Sequence, residues 1–253
     1  MASFIATETP GRPAVELEHE EAMQIQRSLL PAGPLLGSTF EVFYRFLPYG
    51  EVGGDFADFF TLPDGQTGLY IGDVVGKGLP AAMYAALVMG MMRGIHKSGL
   101  GAAEALALLN QRMIVRPVPG RYAATLYAIF DPETRELTFS NAGLPQPVLV
   151  SASGCTRLGG GGFPSGLFPA AEYELHSVQL APGDTVLFAT DGLHELRDAN
   201  NADFSWDKLA DIWKRCHGLS ANESLDYLMD EAQRFARDGC QNDDITAVVL
   251  KVN

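Results

Sequence analysis

The chain has 253 residues, with 18 basic against 31 acidic side chains and a formal net charge of −13. So acidic a surface repels phosphate backbones and excludes nonspecific nucleic-acid binding as a first expectation. Hydrophobic residues make up 47%, enough for a packed core and too many for a disordered chain. Cys155, Cys216 and Cys240 are widely spaced and form no C-x-x-C pair, which suits a reducing cytoplasm and argues against a disulfide framework or a cysteine zinc site. The longest apolar stretch, Gly78 to Met92, lies between Lys77 and Arg93. At about 15 residues it falls short of the about 20 a membrane span needs. No basic start followed by an apolar core marks a secretory signal, so the expectation is a chain without membrane contact.

Residues 1–13, with Pro10, Gly11 and Pro13, read as a flexible leader. A helical pattern follows from Ala14 to Leu30 and stops at Pro31 and Gly33. Val15, Ala22, Ile25 and Leu29 give it an apolar stripe, and Glu16, Glu18, Glu20 and Glu21 fill the other face. Strands are expected at Phe40 to Leu47, Phe56 to Leu62 and Thr67 to Ile71, the last two joined by Pro63-Asp64-Gly65. Two helices come next, one starting near Leu79 with Pro80 in its first turn, the other from Ala102 to Val115. Tyr122 to Phe130, Glu136 to Ser140, Gln146 to Val150, Tyr173 to Gln179 and Thr185 to Ala189 continue the β pattern. Gly159 to Gly162 form a loop. Helices over Trp206 to Cys216 and Asn222 to Arg237 precede a last strand, Ile245 to Val252. Hairpin-connected strands interrupted by helix pairs predict an α+β domain with two packed, largely antiparallel sheets.

Four short acidic motifs sit at predicted strand ends: Val52-Gly53-Gly54-Asp55-Phe56-Ala57-Asp58, Ile71-Gly72-Asp73-Val74-Val75-Gly76-Lys77-Gly78, Ala189-Thr190-Asp191-Gly192 and Asn242-Asp243-Asp244-Ile245-Thr246. A carboxylate bordered by core strands is costly unless a cation or strong donors offset its desolvation. Lys77 is the one basic residue inside the motifs. Oxygen ligands without His or Cys suit hard cations such as Mg²⁺ or Mn²⁺. Any one motif is common in ordinary turns; four in this order are specific.

Together with Ile25-Gln26, Leu29-Leu30-Pro31, Pro80-Ala81-Ala82 and Asn141-Ala142-Gly143, they give the chain its family resemblance. From Ile25 to Val252 it resembles the stage-II-sporulation-E-like branch of the metal-dependent PPM (PP2C-type) serine/threonine phosphatases. The resemblance implies an αββα sandwich, with residues 14–31 as a regulatory or linker helix and 32–253 as the phosphatase domain. It implies two or three Mn²⁺ or Mg²⁺ ions, with Asp73 bridging, Asp55 and the Val74 carbonyl on one ion, and Asp191 and Asp243 on another. Asp58 and Asp244 would orient water around them. Two such ions about 3.5–4 Å apart share a water, acidify it and offset charge on the transferred phosphoryl group. The implied substrate is a phosphorylated anti-anti-sigma (STAS-domain) regulator in a partner-switching pathway. Control would come from an activator protein or from homodimerisation through the 14–31 helix. The alternative is a catalytically weak member of the fold that acts as a binding module.

The chain departs from the family pattern at several points. Ala57 stands where an aromatic is frequent, and Val74-Val75 leaves no histidine after Asp73 to act as an acid. The arginine that grips phosphate in eukaryotic relatives has no clear counterpart. Rival readings are weaker. Lys77 between glycines is one residue short of a Walker loop, and Gly53-Gly54-Asp55-Phe56 lacks the glutamate of a diguanylate cyclase signature. Ser165 lacks nucleophile-elbow spacing. His194, two residues after Gly192, is within reach of the site but reads better as a surface histidine at a helix start, Cys240 reads as a small buried side chain, and Lys77 reads either as drawing phosphate electrostatically or as a solvated loop lysine.

Overall fold

The computed structural model describes residues 14–253 except Asp238 and Cys240, so the leader and the reading of Cys240 lie outside the described residues. Helix α1 (Ala14–Leu29) leads into β1 (Leu35–Leu36) and β2 (Phe40–Leu47). A hairpin of β3 (Phe56–Thr61) and β4 (Thr67–Val74) is followed by α2 (Gly78–Ile95) and α3 (Ala102–Val115). Strands β5 (Ala123–Phe130), β6 (Glu136–Ala142), β7 (Val148–Ser151), β8 (Gly154–Arg157), β9 (His176–Gln179) and β10 (Thr185–Ala189) come next. Helices α4 (Trp206–Arg215) and α5 (Ala221–Phe235) precede β11 (Ile245–Val252).

Every strand pair is antiparallel, in one sheet of order β1-β2-β11-β10-β7-β8 and another of order β3-β4-β5-β6-β9. Alternation along the strands builds three layers of core. Leu69 and Ile71 of β4 meet Val248, Leu250 and Val252 of β11 between the sheets. Tyr70 and Val74, on the other face of β4, pack under Ala85, Val88 and Met92 of α2 and Leu106 of α3. Ile245, Ala247 and Val249 of β11 pack under Leu209 and Trp213 of α4 and Leu225 and Leu228 of α5. Both faces of β11 are therefore buried, which is why Ile245 to Val252 reads as a nearly unbroken apolar run. The expected α+β sandwich of two sheets between helices is the observed fold.

Two expectations change. Helix α2 continues to Ile95 and, with the 3₁₀ turn His96–Ser98, forms the one helix among the described residues long and apolar enough to cross a membrane. Here its apolar face (Ala81, Ala85, Val88, Met92, Ile95) lies on the β3-β4-β5 sheet. The inward face of α1 is also rotated from the expected stripe: Ala22, Met23, Gln26 and Leu29 are half-buried, whereas Ile25 is 61% exposed.

Candidate active site

The strand registers carry all four acidic motifs to one end of the sandwich. Phe56 pairs with Gly72, which sets Asp55 beside Asp73. Ala189 pairs with Ala247 and Leu47 with Ile245, so Asp191 and Asp243-Asp244 emerge next to the segment between β2 and β3. Residues far apart in sequence thus share one edge.

Asp55 is 2% exposed and accepts a 2.8 Å hydrogen bond from the Thr190 hydroxyl. Thr190 in turn accepts from the Thr246 amide at 2.9 Å, tying β10 to β11 at this point. Burial, and then the charge of Asp73, push the Asp55 carboxyl well above the usual carboxylate range. Burial also lifts Asp73 to about 7, reinforced by Asp191, Asp243 and Asp244. Asp191 is raised by burial and by Asp243. These carboxylates sense one another strongly, and the Lys77 ammonium, 2.9 Å from Asp243 Oδ2, is the one cation paired with them among the described residues.

The backbone around them is closely fitted. A Cβ on Gly54 would lie 2.6 Å from the Val74 carbonyl oxygen and 2.9 Å from Asp73 Oδ1, so only glycine leaves both oxygens their positions. Asp244, 4% exposed, accepts from the amides of Tyr49 and Gly54, each at 2.8 Å, and pins the segment between β2 and β3. From the other side, the Gln26 side-chain amide donates to the Gly53 carbonyl at 2.7 Å and accepts from its N–H at 3.2 Å. The Arg121 guanidinium is bonded to the Val75 carbonyl, one residue beyond Val74. A cavity of about 360 Å³ opens beside Asp243, walled by His19 and Ala22 of α1, Tyr49, Lys77 and Leu79.

The structure brings together Asp55, Asp73, the Val74 backbone, Asp191, Asp243 and Asp244. It does not bring Asp58. On β3, Asp58 shares the face of Phe56, under α2, while Asp73 shares the opposite face of the sheet with Ile71. Its carboxylate pairs with Arg93 at 2.9 Å and accepts from the Tyr70 hydroxyl at 3.3 Å, so the expectation that it orients water at the site is withdrawn. Lys77 is bound to Asp243 rather than free in solvent. His194 is half-buried at the end of a 3₁₀ turn, its Nδ1 3.4 Å from the Phe204 carbonyl, and plays no part in the carboxylate cluster. Ser165 is buried and pairs through its backbone with Ala123. Gln26 and Thr190 stand in the sequence only as members of the motifs Ile25-Gln26 and Ala189-Thr190-Asp191-Gly192, which assign neither a role of its own.

Among the described residues no three acidic, imidazole or thiol groups converge closely enough to hold an ion by themselves. The donor set nevertheless suits a hard dication, which binds through one or two carboxylates and keeps several waters. A buried Asp55 and a half-buried Asp73, both held above the usual carboxylate range, are what such an ion would relieve.

The family profile of Stage II sporulation protein E (SpoIIE) matches residues 63–253. The chain belongs to the SpoIIE family. Phosphoserine phosphatase RsbU of Bacillus subtilis is 23% identical over 94% of this chain and 70% of its own length. Protein IcfG of Synechocystis is 24% identical over 94% of this chain, which spans only 42% of IcfG. The SiaA-PP2C domain of Pseudomonas aeruginosa superimposes with a TM-score of 0.84 at 22% identity, covering 94% of this chain and 97% of that domain. The fold is that of the PP2C phosphatase domains.

Proposed function

We propose that this chain is a divalent-metal-dependent protein serine/threonine phosphatase domain. The observation that carries this reading is the pairing of buried Asp55 with half-buried Asp73, joined by Asp191 and Asp243 and, among the described residues, opposed by Lys77 alone. Folding has gathered anions where an anionic substrate must also bind, and only added positive charge makes that arrangement useful. Asp73 would bridge two Mn²⁺ or Mg²⁺ ions, Asp55 and the Val74 carbonyl would hold one, and Asp191 and Asp243 the other. Bound there, the ions would supply Lewis acidity toward phosphoryl oxygens and an acidified water. The chain's own contributions are positional. Thr190 orients Asp55, Gly54 leaves space for two of the oxygens, and Asp244 holds the segment on which Asp55 is carried.

The substrate class we propose is a serine- or threonine-phosphorylated STAS-domain regulator, supported by family membership and by the similarity to RsbU. Helix α1 is proposed as the regulatory element, acting through an activator or a second copy of the chain, because Gln26 grips Gly53 two residues from Asp55. The test is Mn²⁺-dependent dephosphorylation of phosphorylated STAS-domain proteins against unrelated phosphopeptides. Asp73→Asn should lower turnover by about two orders of magnitude or more while keeping the fold. Near wild-type turnover by Asp73→Asn would remove the two-ion assignment. Equal rates on all phosphoproteins would remove the STAS assignment, and no turnover with any metal would leave a binding module.

A further inference from the structure

Lys77 is the N-cap residue of α2, with extended backbone (φ −134°, ψ 164°), between Gly76 at φ +103° and Gly78 at φ +66°. Two flanking residues in the left-handed region turn the chain sharply around the lysine and hold it at the rim of the carboxylate cluster. There its ammonium meets a segment from the other sheet, lying 2.9 Å from Asp243 Oδ2 and donating to the Asn242 carbonyl. The Lys77 side chain is 49% exposed and that of Asp243 only 23%, so the contact is more than a passing surface pair. Among the described residues, no cation is ion-paired with Asp55 or Asp73.

Resting on the two-ion reading above, we propose that Lys77 is the resident counter-ion of Asp243. A divalent cation arriving at this carboxylate must displace it, so the Asp243 side of the site binds metal more weakly than the Asp55–Asp73 side. An ammonium and a dication on the same carboxylate would stand within a few ångströms of each other, and their repulsion sets them in competition for it. The ammonium already lies over a ring while it is paired with Asp243, at the edge of an open cavity. The Tyr49 ring lies 5.0 Å from Nζ, and both residues line the 360 Å³ cavity beside the site. In this form the site stays partly closed to metal until the free ion concentration is high enough to move the lysine.

The experiment is calorimetric titration of the metal-stripped full chain with Mn²⁺, comparing wild type, Lys77→Gln and Lys77→Arg, with the metal-free thermal transition of each as a folding control. Wild type should show a tighter and a weaker class of site. Lys77→Gln should tighten the weaker class by about two- to fivefold, the range expected for removing a partly exposed ion pair, and leave the tighter class unchanged. Lys77→Arg, which keeps a cation at the rim, should retain the wild-type affinities. A weaker class that is unchanged or loosened in a folded Lys77→Gln protein overturns the proposal while the two-ion reading stands. Absence of Mn²⁺ uptake by every variant overturns both.

Discussion

At Gly54 the backbone packs against two of the oxygens assigned to the ions, and Gly54→Ala tests that assignment. An added Cβ would sit 2.6 Å from the Val74 carbonyl oxygen, 2.9 Å from Asp73 Oδ1 and 3.4 Å from the Ala81 Cβ. Carbon–oxygen contacts settle at about 3.3–3.6 Å, so the two oxygens must give way by roughly 0.5 Å or more. Neither can do so freely. Val74 belongs to β4 and donates from its amide to the Gly54 carbonyl at 3.3 Å, while Asp73 is wedged among the other carboxylates. Overpacking of this kind costs about 1–3 kcal/mol, or a Tm lower by about 2–10 °C at this chain length. Turnover should suffer more, because a displacement approaching 1 Å in catalytic groups costs about 10²-fold. Gly90→Ala, on an exposed turn of α2 with nothing within 4 Å of the new methyl, is the matched control and should be neutral or slightly stabilising. The assay is Mn²⁺-dependent hydrolysis of p-nitrophenyl phosphate beside thermal unfolding with and without Mn²⁺. If Gly54→Ala matches Gly90→Ala in turnover and in Mn²⁺ requirement, the Val74 carbonyl and Asp73 are not the groups that place the ions.

Two further outcomes follow from the electrostatics and from α1. The folded chain holds the Asp73 proton up to about 7, against a usual carboxylate value near 4, so this group's stabilising contribution is complete below about pH 4 and lost as pH rises through about 7. Metal-free protein should therefore melt at a lower temperature at about pH 8 than at about pH 5, with Mn²⁺ reversing the difference; a flat or rising profile contradicts the burial argument. Gln26→Ala removes both bonds to Gly53 and should raise the Mn²⁺ concentration for half-maximal activity several-fold, with turnover at saturating metal largely kept. An unchanged Mn²⁺ dependence would reduce α1 to packing.

Much of this architecture was legible because strand alternation and helix periodicity speak directly to burial. The apolar run Ile245 to Val252, with both faces covered, is an example. The misses have physical reasons. β8 is short and lies at a sheet edge with half-buried or exposed residues, so burial left little pattern in Gly154 to Arg157. The resemblance implies a place for Asp58 beside the ions, whereas the period of two puts it on the Phe56 face, and Phe56 is core under α2. On α1 the expected stripe includes Ile25, which is exposed, while Gln26 joins Ala22, Met23 and Leu29 on the half-buried face and bonds a backbone group 27 positions away. No hydrophobic pattern can reveal a polar side chain whose role is to bond a distant peptide group.

That distant bond gives the site its most consequential linkage. The segment from Tyr49 to Asp55 is held by Gln26 from α1 at Gly53, by Asp244 at the start of β11 through the Tyr49 and Gly54 amides, and by Thr190 at the end of β10 through Asp55 itself. α1 meets the same framework again at its C-terminal end, where the Leu29 carbonyl accepts from Arg93 of α2 at 2.6 Å and Arg93 pairs with Asp58 of β3. A shift of α1 that breaks the Gln26 clasp thus loosens one of three supports of the Asp55 backbone and disturbs the hairpin that carries Asp73. Binding free energies are reciprocal, so if α1 position alters metal affinity, metal binding must bias α1 by the same factor. Asp58, absent from the carboxylate cluster, then has a role after all: through Arg93 it couples the helix to the sheet that presents the site.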